Sequence, residues 1–246
     1  MVSGVGSRQH HGFSLLELAF VLTAIGVLSL LAHFTFSGAD DVRQHQQAKA
    51  EAEVVREALR YYVLANKRLP CPDFDEDGYE DRDPSGGCSL YDEMGFAPYY
   101  AIGLPPKEEN RTYYGVYRAA SPDDITVLEE RTGDGEGEPD FKDLGDAINA
   151  LSKIPATVSG NAHIYIAGVN ADGSSNCDAS VAAYPAFVLI IPNINRDNEN
   201  GLLDGVNSNT AKCIASPIQP LTWNYDDIVV VESPNALIGW LTKHIN

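Results

Sequence analysis

Basic residues are scarce in this chain: 17 Lys and Arg stand against 35 Asp and Glu, giving a formal net charge of −18. A surface of that sign repels phosphate backbones and anionic headgroups, so nucleic-acid binding by the folded part is not expected. Histidine is nearly as sparse. His10 and His11 sit near the start and His33 and His45 in a long helical pattern, leaving His163 and His244, too few for a triad or a metal site. Nucleophile elbow, phosphate loop, dinucleotide fingerprint and His-Glu-x-x-His are all missing. Acidic neighbours such as Asp226 and Asp227 would point to opposite faces of a strand rather than into one pocket. The chain therefore reads as a non-enzyme. Its four cysteines lack the Cys-x-x-Cys spacing of zinc ribbons and redox motifs, so loop staples in an oxidising compartment are expected. Cys71, Cys88, Cys177 and Cys213 allow three pairings, and proximity favours Cys71 with Cys88 and Cys177 with Cys213.

What the chain does have is one long apolar run. Residues 18–36 carry no charge at neutral pH when His33 is neutral, a length that suits a bilayer span of about 20 residues. Ahead of it stands a short polar leader, residues 1–12, whose one formal positive charge is Arg8. A secretory signal puts its small-residue cleavage site after the apolar segment. Here the natural break is Gly12, before it. Glu17 is the one ionisable residue close to the start of the run.

The stretch Gly12-Phe13-Ser14-Leu15-Leu16-Glu17 and its apolar helix resemble the prepilin cleavage and methylation motif of type IV pilins and type II secretion pseudopilins. The resemblance implies cutting between Gly12 and Phe13 by a prepilin peptidase/methyltransferase, methylation of the new Phe13 amine, and retention of the helix. It implies that Glu17 faces the terminal amine of a neighbouring subunit, which agrees with the cost of an unpartnered carboxylate in an apolar helix. Gly26 fits as a weak helix point. Many major pilins carry a proline where this chain has Phe34, which leaves the choice between pilus and secretion pseudopilus open.

The implied organisation is a leader over residues 1–12, a membrane-spanning and filament-core helix over 13–36, an amphipathic continuation over 37–66, and an extracytoplasmic head over 67–246. The expected fold is α+β and pilin-like: a long N-terminal helix packed on an antiparallel sheet with disulfide-stapled loops. The precursor would sit single-pass in the bacterial inner membrane with its head in the periplasm, then join other pilin or pseudopilin subunits in a periplasmic or cell-surface filament. A large head with elaborate loops favours a minor or tip subunit. The alternatives are a type II secretion pseudopilin and a filament-borne, calcium-dependent adhesin head.

Beyond the apolar run, Ala48, Ala52, Val55, Leu59, Tyr62 and Val63 recur at helical steps, predicting one helix over residues 14–65, stopped by Asn66 and Pro70. Asp73-x-Asp75-x-Asp77-Gly78 then has the opening spacing of a calcium loop, in which alternating carboxylates converge and the glycine allows the turn. Asp73, Asp75 and Asp77 would ligate by side chain, Tyr79 by its carbonyl, and Asp81 directly or through water. The twelfth position, usually Glu, is Pro84. Strands are expected over residues 113–119, 125–130, 163–169, 187–191 and 228–231, the apolar 187–191 being central. Helices are expected over 143–151 and after Ser233, with Pro234 at the first position. A second oxygen-rich loop, 193–201 with Asp204, matches the calcium template poorly, and its Asn and Asp also favour turns.

Overall fold

The computed structural model describes residues 15–89, 93–107, 111–119, 123–131, 137–155, 163–178, 181–193, 202–209 and 212–245, with the side chains of residues 31–41 outside that set. Gly12 and Phe13 lie outside it too. Internal contacts divide the chain into two units, Met1–Gln44 and His45–Asn246. Helix α1 (Leu15–Asn66) supplies all the described structure of the first unit and opens the second.

In the first unit the described side chains of α1 are open to solvent; Leu15, Leu16, Phe20, Leu22, Leu28 and Leu30 are each more than half exposed. The hydroxyl of Thr23 donates to the carbonyls of Ala19 and Phe20, so the helix satisfies this polar group itself. Among the described residues no helix is long and apolar enough to cross a membrane. The apolar run expected over 18–36 reaches beyond them: residues 15–30 fall short of the roughly 20 a span needs.

The second unit is α+β. Its sheet, in the order β1 (Met94–Phe96), β2 (Tyr113–Val116), β6 (Phe187–Ile191) and β8 (Ile228–Glu232), is antiparallel throughout. Small pairs flank it: β3 (Tyr165–Ile166) with β7 (Cys213–Ile214), and β4 (Gly168–Val169) with β5 (Ser175–Asn176). As the apolar pattern implied, β6 is interior and every residue of it is buried. Phe187, Leu189 and Ile191 join Tyr114, Ile228 and the α1 stripe of Ala52, Val55, Leu59 and Val63 in one cluster. Val188 and Ile190 point the other way, into a second cluster with Ile164, Ile214, Leu203 and Tyr225. Each buried aliphatic side chain of β6 contributes roughly 1.5–3 kcal/mol. Helices α2 (Phe141–Ser152) and α3 (Pro234–His244) complete the first cluster with Leu144, Ile148, Leu237 and Leu241. A capping box of Asp140 and Asp143 starts α2, and Ser233 caps α3 with Pro234 in its first turn.

Three strand expectations change. Residues 125–130 form no strand, because side chains take the backbone groups that a ladder would have used. The Asp124 carboxylate accepts from the Thr126 N–H and hydroxyl, and the Arg131 guanidinium donates to the carbonyls of Asp124, Val127 and Glu129. The 113–119 strand stops at Val116, and 163–169 is split into β3 and β4. The Met94–Phe96 strand was obscured by Gly95, where a Cβ would stand 2.8 Å from the Asp73 carbonyl oxygen and the Pro72 side chain.

Both favoured disulfides are present, Cys71–Cys88 and Cys177–Cys213, with Cα–Cα distances of 5.4 and 5.8 Å. Beside the first, Glu80 ties the end of α1 to the loop that follows. It takes two hydrogen bonds from Arg68, one from the Tyr62 hydroxyl and one from the Cys71 N–H. Burial alone would raise the Glu80 pKa, but these donors outweigh it and bring it from 4.5 to about 2. A depressed carboxyl stabilises the fold above its unfolded pKa and loses that contribution as pH falls through its folded one. The linked stability, about 3 kcal/mol, is therefore complete above roughly pH 5 and fades toward pH 2. Glu80→Gln strands Arg68 and should cost about 2–4 kcal/mol. Urea denaturation at pH 7 and pH 3 checks both points; the variant should lose less stability on acidification than the parent.

Candidate functional sites

Glu17 stands in the first turn of α1, exposed, with Leu15, Leu16, Leu18 and Phe20 around it. The junction it would serve, Gly12 and Phe13, lies outside the described residues.

The Asp73–Asp81 loop follows α1 and the Leu69–Pro72 segment. Most of its carboxylates are committed to its own backbone. Asp73, 1 % exposed, accepts the N–H groups of Glu76 and Gly78, and Asp81 accepts those of Phe74 and Asp75. Asp75 accepts from Asp77 and Asp77 from Tyr79, two short Asx turns. Gly78 has φ +88°, and a Cβ there would meet Tyr100 Cδ2 at 2.6 Å. The Tyr100 ring in turn lies 5.1 Å from that of Tyr79. Burial pushes the Asp73 carboxyl above its ordinary range, the two N–H donors pull it down, and Asp77 and Asp75 add to the rise. Oxygens of Asp73, Asp75 and Asp81 lie within 4.8 Å of one another. Asp77 stands outside that trio, and Tyr79 presents a half-exposed ring beside it. One residue before the twelfth position, Asp83 turns back on its own loop, accepting from Ser85 and Gly87.

The structure gathers a second trio that neighbour spacing had dispersed. Asp204, Asp226 and Asp227 are buried, and one oxygen of each lies within 4.8 Å of the others. The reading that put Asp226 and Asp227 on opposite faces of a strand is overturned. Both precede β8, where strand alternation does not yet hold, and Asp204 meets them from the turn before the short 3-10 helix Gly205–Asn209. Burial pushes the Asp227 pKa up to about 7; Asn207 and the Asp204 N–H hold it back, and the Asp204 and Asp226 carboxylates add to the rise. Adjacent lies a cavity of about 360 Å³ with Asp172, Ser174, Gln219, Asn224 and Tyr225 in its wall. His163 stands ahead of β3, its Nδ1 3.4 Å from Glu93 and its ring against Tyr117.

Compared with family models, with curated proteins and with solved structures, the chain matches none. Function is therefore argued from its own residues. For the acidic loop, Gly78→Ala should force both a left-handed alanine and a shift of Tyr100, costing about 2–4 kcal/mol. Thermal unfolding of the variant should show the drop, while Gly103→Ala, also at positive φ but with open space around it, should fall less.

Proposed function

We propose that the chain is a structural subunit, minor or at the tip, of a type IV pilus-like filament, matured by a prepilin peptidase and assembled through its N-terminal helix. The observation that carries this reading is the exposed apolar length of α1 with Glu17 in its first turn, directly after the Gly12–Phe13 junction. Helical side chains so exposed need lipid or other apolar helices around them. The carboxylate needs a positive partner in such surroundings, and the methylated amine of Phe13 on a neighbouring subunit provides one. Three further features support the reading. The second half of α1 packs on an antiparallel sheet. Two disulfides suit the periplasm or cell surface. The acidic head keeps subunits soluble before assembly. Before assembly the precursor sits in the inner membrane; its partners are the peptidase and other pilin or pseudopilin subunits.

A second, compatible reading adds calcium at the Asp73–Asp81 loop, on the observation that Asp73, Asp75 and Asp81 converge. Asp77 and the Tyr79 carbonyl would complete the ligand set after a small rearrangement. A head of this kind is the starting point of a calcium-dependent adhesin.

Mass spectrometry of the native N-terminus should find a chain beginning at methylated Phe13. Gly12→Ala should accumulate the unprocessed precursor, and an unchanged N-terminus in that variant would remove the assignment. Glu17→Ala should be cleaved normally yet be absent from sheared filaments. Deletion separates the machines: lost surface filaments indicate a pilus, and lost protein secretion a pseudopilus.

A further inference from the structure

The Asp204, Asp226 and Asp227 carboxylates have 0 %, 2 % and 4 % exposure, so three acids share an interior position beside the second apolar cluster. Their orientation is fixed from outside. Asp227 Oδ2 accepts the Asp204 N–H and the Asn207 side-chain amide, both at 2.9 Å. Asp204 Oδ2 accepts the Asp226 N–H at 3.0 Å, and Asp226 Oδ2 accepts from Asn193. Asn207, itself buried, is locked by accepting the Ala215 N–H through its Oδ1. One atom is left over. Asp227 Oδ1 is enclosed and has no hydrogen-bond partner.

An orphaned carboxylate oxygen in an interior acidic trio requires something to meet it. Asp227 Oδ2 already takes two N–H bonds, so whatever answers the remaining lone pairs must do so at Oδ1. We infer that Asp204, Asp226 and Asp227 form a site for a hard divalent cation, calcium, with Asp227 Oδ1 as one ligand. The donor chemistry makes the choice. The trio is all oxygen, which selects against zinc and copper. Magnesium demands near-octahedral geometry and keeps several of its waters, whereas calcium accepts many carboxylate oxygens in irregular geometry. Bound there, the ion would cross-link the lead-in of β8 to the turn before the 3-10 helix.

The site is independent of the filament reading and of the Asp73–Asp81 loop, so the experiment removes the loop first. Asp75→Ala full-length chain, stripped with chelator in detergent solution, is titrated with calcium chloride and then melted with and without the ion. Uptake of calcium with a rise in Tm is expected, and Asp75→Ala/Asp227→Asn should bind at least tenfold more weakly. No uptake by the Asp75→Ala chain, or equal affinity in the double variant, overturns the proposal. A rise in Tm with magnesium but not calcium overturns the choice of ion. Should the double variant not fold, terbium luminescence of the Asp75→Ala chain keeps the proposal testable. The Tyr225 hydroxyl lies 3.4 Å from the Asn207 amide that also holds Asp227, so bound terbium should be sensitised and calcium should displace it. Sensitised emission that calcium leaves unchanged overturns the site.

Discussion

A buried carboxylate must find a donor or a cation, and most of this fold can be read from how its buried acids meet that demand. The head encloses Asp73, Glu93, Asp124, Asp143, Asp204, Asp226, Asp227 and Glu232 in a chain already carrying a net charge of −18. Glu232 closes β8 and takes three hydrogen bonds from Arg60, fixing α1 to the sheet edge. Glu93 accepts the Ile164 N–H and so joins the segment before β1 to the start of β3. Asp124 and Asp143 shape the 124–131 segment and the start of α2. Glu93, Asp124 and Asp143 hold irregular backbone in place where the ladder of a strand is missing.

This explains how a sheet of short strands supports so large a head. Five-residue β6 and β8 form the longest ladder among the described residues, and the apolar clusters on the two faces of the sheet provide the hydrophobic driving force. Around them, loops are tied by carboxylates, by two disulfides, by Arg68, which reaches forward to the Leu69 carbonyl and Glu80, and by Arg131, which reaches back to the Asp124 carbonyl. Glu80 is the clearest case. Its donors come from the end of α1, the segment after it, the Cys71 backbone and Arg82, so helix, disulfide and acidic loop share one anchor.

The same demand bears on function. The Asp73–Asp81 loop feeds most of its carboxylate oxygens with its own N–H groups, which stabilises the loop without an ion. At Asp227 one oxygen stays unfed. Glu17 stands exposed in the first turn of α1, among apolar and exposed helix neighbours.

By itself the sequence determined what depends on local pattern. Helical recurrence from Ala48 to Val63 set the packed face of α1, the apolar run Phe187–Ile191 set the interior strand, and Ser233-Pro234 set the start of α3. Proximity sufficed for the disulfides, because short loops close most readily. The prepilin-like segment is legible only as sequence, its junction lying outside the described residues. Tertiary structure decided the rest. It dissolved the strand expected at 125–130, since Asp124 and Arg131 compete for its backbone through contacts that periodicity does not encode. It also brought Asp204 beside Asp226 and Asp227. That meeting depends on a turn and a strand lead-in separated along the chain, and neither residue spacing nor alternation carries information about it.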